Sequence, residues 1–325
     1  MTRWAVVFPG QGAQYVGMGQ DLYHASPAAR STFEEADAAL EMALSRWIFE
    51  GPEDRLEETA VQQPAILTVS VAAWRALTEA RPEFVPALGL GLSLGEYAAY
   101  VASGVLEFAT AVRICRLRGQ AMQEAVPRGL GGMMAVMGLD QAVVEAICQE
   151  ASAAGRVEPA NYNAPQQIVI SGLNPGLEAA AALVAARGGR AVRLSVSAPF
   201  HSSLLEPAGS VLSKALSTAA FHPARFPVLA NVDTEPCTEA QQIVPRLIQQ
   251  VSHPVRFEQS VRRALAMGVE GFLELGPGRS LAGLIRKIDR RCPVVSVGDV
   301  SGLRKALELL GSQGYNSNEL RPGNN

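Results

Sequence analysis

Five consecutive apolar residues, Trp4 to Phe8, open the patterned part of the chain and stop at the turn "PGQGAQ". A short unbroken apolar run closed by turn residues reads as a buried parallel strand. Residues 28–45 and 53–80 read as helical. Gln63-Pro64 stands just ahead of "AILTVSVAAWRAL", where a proline suits a first helical turn. "FVPALGLGL" reads as a second buried strand and runs straight into Ser93; "GEYAAYVASGVL" then spaces its apolar residues as a helix does. Thr110 to Val126 carry a strong helical pattern, stopped by Pro127 and Gly129.

The texture changes at residue 129. "GGMMAVMGL" reads as a strand, "DQAVVEAICQEASAAG" as a helix and "VEPANYNAPQQIVISG" as a turn followed by a strand. "NPGLEAAAALVAARGG" is a helix and "RAVRLSVS" a strand. This alternation resembles a small ferredoxin-like layer. It is assigned to 129–197, inserted in a larger α/β unit made of 1–128 and 198–310. The larger unit resumes with "APFHSSLLEPAGSVLSKAL", a loop and a helix, and adds strands at "FPVLAN", "GFLELGPG" and "PVVSVG". Residues 311–325 are polar with Gly and Pro and read as a disordered tail.

Composition narrows the class. With 325 residues, 48% of them hydrophobic and 18% charged, the chain can bury a large core. The net charge is -3 and no basic stretch stands out, so nucleic acid is a poor partner. Cys115, Cys148, Cys237 and Cys292 are far apart with no C-x-x-C, which suggests neither zinc nor disulfides and fits a reducing cytoplasm. The start reads as lacking a signal peptide, and no apolar run has transmembrane length. The expectation is a cytoplasmic protein with no membrane partner and no metal, for which a monomer suffices.

The chemistry centres on "GLSLG", residues 91–95. G-x-S-x-G at a strand-to-helix junction is the setting of a nucleophile elbow, although a tight turn that happens to hold a serine is the plainer alternative. A serine hydroxyl needs a base. The chain has four histidines: His24, His201, His222 and His253. His201, after a strand and before a helix where the two units join, is the candidate; for each of the four the alternative is a solvated surface ring. The N–H of Leu94 is one oxyanion donor by the geometry of an elbow, and Gln11, on the loop after the first strand, is a candidate second. An α/β-hydrolase would also offer an acid, but neither Asp140 nor Asp233 sits in a recognisable acid loop.

Seven segments in order, "FPGQGAQYVGMG", "QQPAILTVSVA", "GLSLGEYAAYVASGVL", "RLRGQAMQEAVPRGLGGMMAVMGL", "NYNAPQQIVISG", "SAPFHSSLLEPA" and "ELGPGRSL", together resemble the malonyl-CoA:acyl carrier protein transacylase family. The resemblance implies an α/β-hydrolase-like domain with a parallel sheet and an inserted ferredoxin-like subdomain. It implies a ping-pong reaction without a bound cofactor: Ser93 takes a malonyl group from malonyl-CoA and passes it to the phosphopantetheine thiol of an acyl carrier protein. By the same match His201 is the base, Gln11 and Leu94 form the oxyanion hole, and the backbone carbonyl of Gln250 orients the histidine in place of an aspartate. Arg118, in "RLRGQ", matches the arginine that pairs with malonate's free carboxylate. A guanidinium fork fits a carboxylate with two hydrogen bonds. The alternative is a helix-surface arginine like its neighbours Arg113 and Arg116. Leu92, Phe200 and Gln63 are expected at the acyl pocket, with Phe200 disfavouring methylmalonyl.

One departure is plain. The family pattern before the nucleophile is Gly-His-Ser-Leu-Gly, and here Leu92 replaces the histidine. Leucine at this place resembles some free-standing acyltransferases of polyketide pathways. Two other readings stay open at this point: an editing hydrolase that clears acyl groups from carrier proteins, and a non-catalytic docking module on the same fold.

Overall fold

A computed structural model describes residues 3–311; the expected tail, apart from Gly311, lies outside the described residues. The strands are β1 (Trp4–Phe8), β2 (Leu88–Gly91), β3 (Gly131–Met137), β4 (Val157–Ala164), β5 (Gln167–Leu173), β6 (Arg190–Arg193), β7 (Val228–Leu229), β8 (Pro236–Cys237), β9 (Gly271–Leu275) and β10 (Val294–Val297). The helices up to the elbow are α1 (Gln20–Ala25), α2 (Pro27–Leu40), α3 (Leu44–Glu50), α4 (Glu53–Glu57), α5 (Thr59–Ala80) and α6 (Gly95–Ala102). Then come α7 (Phe108–Glu124), α8 (Gln141–Ala151), α9 (Asn174–Ala186), α10 (Glu206–Thr218), α11 (Ala240–Gln250), α12 (Phe257–Ala266), α13 (Ser280–Ile288) and α14 (Val300–Leu309).

The larger sheet has the order β10-β9-β1-β2-β7-β8. Its first five strands are parallel, and β8 returns antiparallel to β7. Side chains alternate across it. Trp4, Val6 and Phe8 enter one apolar layer with residues of α2, α5 and α7, while Ala5 and Val7 enter another with residues of α12 and α13. Burial on both faces is why β1 is an unbroken apolar run. Register puts Phe8 beside Gly91 and Gly89 beside Val228. The carboxyl ends of β1, β2 and β7 therefore open side by side, where parallel α/β sheets place their sites.

The second sheet, β4-β5-β3-β6, is antiparallel throughout. Residues of α8 and α9 share one apolar cluster with it. Its order is strand, helix, two strands, helix, strand, which is the ferredoxin-like motif. Here the structure corrects the pattern reading, because 157–164 is a strand and not a turn. Pro159 and two asparagines mask it in the sequence. The ladder tolerates them because β4 is an edge strand with register shifts at Pro159/Asn161 and Tyr162/Ala164. β4 also reaches outward: Tyr162 N–H donates to Val255 O at 2.9 Å, and Val255 N–H to Ala160 O at 2.8 Å.

Other boundaries shift. The stretch 28–45 holds α2 and the start of α3, broken at Glu41 in the left-handed region (φ 52°). The stretch 53–80 is two helices, and Pro64 lies inside α5 and not in its first turn. Glu58 O starts α5 early by accepting from Val61 and Gln62 N–H at 2.8 and 2.7 Å. The strand at "FPVLAN" is only Val228–Leu229. Among the described residues no helix is long and apolar enough to cross a membrane, and no group of three His, Cys, Asp or Glu side chains is placed to hold a metal.

Candidate active site

Ser93 occupies the sharp turn between β2 and α6 with φ 54°, a conformation that costs a non-glycine residue about 1–3 kcal/mol. The flanking glycines make the turn possible. A Cβ on Gly91 would lie 2.0 Å from Gly95 C, and one on Gly95 would lie 2.0 Å from Phe8 O. Asn231, just beyond β7, clamps the strained residue. Its Oδ1 accepts from Ser93 N–H at 2.7 Å, and its Nδ2 donates to Gly91 O at 2.7 Å. A serine that merely fell in a turn would need no such clamp.

His201 comes from the long connection before α10, and its backbone is also left-handed (φ 59°). Its Nε2 lies 2.6 Å from Ser93 Oγ and its Nδ1 lies 2.8 Å from Gln250 O. A carbonyl only accepts, so Nδ1 carries the hydrogen and Nε2 presents its lone pair to the serine. Burial first, and the nearby Arg118 charge second, push the ring's pKa down to about 3. The ring is thus neutral at ordinary pH. The other histidines are exposed: His24 on α1, His222 at 3.7 Å from Glu107, and His253 with Nδ1 2.9 Å from Gln249 O. Asp233 pairs with Arg246 at 2.7 Å, and the Gln250 carbonyl fills the place an acid would take.

Arg118, on α7, is only 1% exposed. Its NH1 donates to Gln63 Oε1 at 2.8 Å, and its NH2 donates to Ser93 Oγ at 3.0 Å and Gln250 Oε1 at 2.9 Å. The guanidinium lies 5.6 Å from the Tyr97 ring centroid. Its neighbours do different work: Arg113 and Arg116 donate to Ala39 O and Leu40 O at the end of α2. Every hydrogen-bond acceptor shown for Arg118 is neutral. A buried cation with neutral partners favours an anion beside it.

The remaining candidates lie around this centre. Gln11 is half-buried on the loop after β1, and that loop abuts the elbow: a Cβ on Gly10 would be 2.3 Å from Leu92 O. Leu94 caps the start of α6, where N–H groups lack intrahelical partners. Leu92 packs with Val7, Leu90 and the α12–α13 layer, while Phe200 is buried in the opposite layer with residues of α5 and α7. The structure thus joins Ser93, His201, Arg118, Gln63 and Gln250 by direct hydrogen bonds. Leu92 and Phe200 sit in separate apolar layers.

Two residues escape the pattern reading, Asn231 and Glu96. Glu96 is fully buried in the first turn of α6. It accepts from Gln250 Nε2 at 2.7 Å, Asn231 N–H at 3.1 Å and Tyr100 OH at 3.2 Å. Burial raises its pKa to about 7 against those hydrogen bonds and the Arg118 charge. The available signals were slight: a lone acid on an apolar helix, and an asparagine ending an apolar strand.

Residues 5–300 match the family of the acyl transferase domain. The chain belongs to this acyltransferase family. It is 42% identical to the malonyl CoA-acyl carrier protein transacylase of Bacillus subtilis (strain 168), covering 98% of this chain and all of that one. An acyl-carrier-protein S-malonyltransferase from Burkholderia pseudomallei 1710b superposes with a TM-score of 0.92 at 42% identity, over 94% of this acyltransferase and 100% of that chain. A malonyl-transacylase solved in complex with its type II polyketide synthase acyl-carrier protein superposes equally well, with a TM-score of 0.92 at 40% identity, over 95% and 100% of the two chains. The α/β fold expected from the sequence is that of these acyltransferases.

Proposed function

We propose that this acyltransferase moves a malonyl group from malonyl-CoA to the phosphopantetheine thiol of an acyl carrier protein, through an ester on Ser93. The observation that carries the substrate choice is Arg118: a buried guanidinium, 3.0 Å from the reacting oxygen and hydrogen-bonded to neutral groups. Malonyl differs from acetyl by one carboxylate, the group such a fork holds. An enzyme that cleared simple acyl chains would have no use for it.

His201 Nε2 takes the hydroxyl proton as Ser93 Oγ attacks the thioester carbonyl carbon. The negative charge on the carbonyl oxygen falls to the Leu94 N–H and Gln11. The intermediate collapses, the C–S bond breaks, and the coenzyme A sulfur takes the proton from His201. The carrier's thiol then gives its proton to His201 and attacks the ester, and Ser93 Oγ leaves and recovers that proton. The depressed pKa of His201 keeps it ready as a base. A malonyl carboxylate on Arg118 offsets one of the two causes of that depression, so the base strengthens when the correct acyl group is present.

The larger unit 1–128 with 198–310 carries the serine and histidine in this reading, and 129–197 forms the smaller one. The protein works in the cytoplasm as a free-standing enzyme for a polyketide or fatty acid synthase. The test is steady-state loading of a phosphopantetheinylated carrier from malonyl-CoA. Transfer to that carrier, with none to the same carrier lacking phosphopantetheine, is expected; loss of acyl groups to water at the same rate with or without carrier would overturn the reading.

A further inference from the structure

Nothing in a carboxamide alone decides which end faces a neighbour, because half a turn swaps oxygen for nitrogen. The side chain of Gln250 sits between two groups that do decide. On one side Arg118 NH2 donates to Oε1 at 2.9 Å. On the other, Nε2 donates to Glu96 Oε2 at 2.7 Å and to Ser93 O at 2.9 Å. A flipped amide would set a carbonyl against a carboxylate and an N–H against a guanidinium. Glu96 is itself fixed by Asn231 N–H and Tyr100 OH, with no exposure to water. It stands one amide away from Arg118. A carboxylate directly on the guanidinium would fill the fork that an acyl carboxylate needs.

We infer that Glu96 is a positioning residue for dicarboxylate selectivity: through the Gln250 amide it keeps a carbonyl oxygen against Arg118 and holds the guanidinium turned toward Ser93. This rests on the reading of Arg118 as the carboxylate site. Glu96 touches no reacting atom. It acts by setting the polarity of the amide that does touch Arg118.

The experiment measures kcat/KM of malonyl-CoA and acetyl-CoA for wild type, Glu96→Leu, Glu96→Asp, Glu96→Gln and Arg118→Met. Leucine removes the acceptor, and aspartate is one methylene too short to reach its donors. In both, the malonyl-to-acetyl ratio should fall about tenfold or more, chiefly through the KM for malonyl-CoA. Glutamine can turn its oxygen to the same two N–H donors and its NH2 to the Tyr100 hydroxyl. It should bring the ratio back to within about threefold of wild type, whatever its absolute rates. If malonyl and acetyl rates fall together in Glu96→Asp and Glu96→Leu, the residue only braces the elbow and the inference fails. It also fails if Glu96→Gln loses as much selectivity as Glu96→Leu. Should the leucine variant not fold, the aspartate variant decides alone. An unchanged ratio in Arg118→Met overturns the reading of Arg118 itself, a result distinct from an unchanged ratio in the Glu96 variants.

Discussion

Replacing Arg118 by methionine keeps an unbranched stem in the buried slot and removes the guanidinium. Two of its nitrogens already make hydrogen bonds within the site, NH1 to Gln63 and NH2 to Ser93 and Gln250. A substrate carboxylate engaging both would gain two charge-assisted bonds, each worth about 1.5–3 kcal/mol. Losing both costs about 3–6 kcal/mol, or roughly two to four powers of ten in kcat/KM. Acetyl-CoA has no carboxylate to lose, so its kcat/KM should stay within about tenfold. Arg118→Lys should fall between, because an ammonium is a point charge without the fork. The assay is single-turnover acylation with each thioester, read by released coenzyme A, with circular dichroism to confirm the fold. Equal losses for malonyl and acetyl would refute the reasoning and leave Arg118 a structural residue.

Because burial and Arg118 lower the His201 pKa to about 3, the free enzyme keeps a neutral base far below the ordinary histidine value. The kcat/KM profile for malonyl-CoA should therefore lack the roughly tenfold fall between pH 7.5 and 5.5 that a histidine titrating near 6.5 would impose; such a fall would contradict the assignment. Asn231→Ala strips partners from Ser93 N–H and Gly91 O, two buried backbone groups at about 1–3 kcal/mol each. The urea midpoint should drop accordingly, with malonyl and acetyl acylation slowed alike, and wild-type stability would sink the clamp. Gly95→Ala should yield no folded enzyme, since its Cβ would sit 2.0 Å from Phe8 O. Gly283→Ala on α13 meets nothing within 4 Å and should stabilise by up to about 1 kcal/mol in the same denaturation series.

What could be read from the chain alone follows from how local each signal is. The elbow is legible because its glycines are spaced within five residues: Gly91 is required by the close approach of Gly95 across the turn, and Gly95 by the approach of Phe8 on β1. The α/β class is legible because β1 and β2 are buried on both faces and stay apolar throughout, and β9 departs from that only at the buried Glu274. β4 is not, because an edge strand at a bulge can carry Pro159 and still pair. α11 to α14 pass unread among strand-like fragments and loops, and Pro245 inside α11 looks like a helix breaker. Asn231 and Glu96 carry only slight local signals, since the bonds that tie them to the elbow and to each other span 135 or more positions in the chain. Only the register of β7 beside β2 brings Asn231 to Ser93. Gln250 is a further case: its backbone carbonyl serves His201 and its amide serves Arg118, two tasks that no residue type announces.

The central claim is that Ser93 carries a malonyl group from one thiol to another. Intact-protein mass spectrometry after exposure to malonyl-CoA, and separately to acetyl-CoA, tests it most directly, followed by addition of phosphopantetheinylated carrier protein. The account predicts one malonyl adduct, mapped to Ser93 by peptide fragmentation, absent in Ser93→Ala, and transferred intact to the carrier. A wild-type enzyme that forms no malonyl adduct, or whose adduct is lost to water without reaching the carrier, would contradict it.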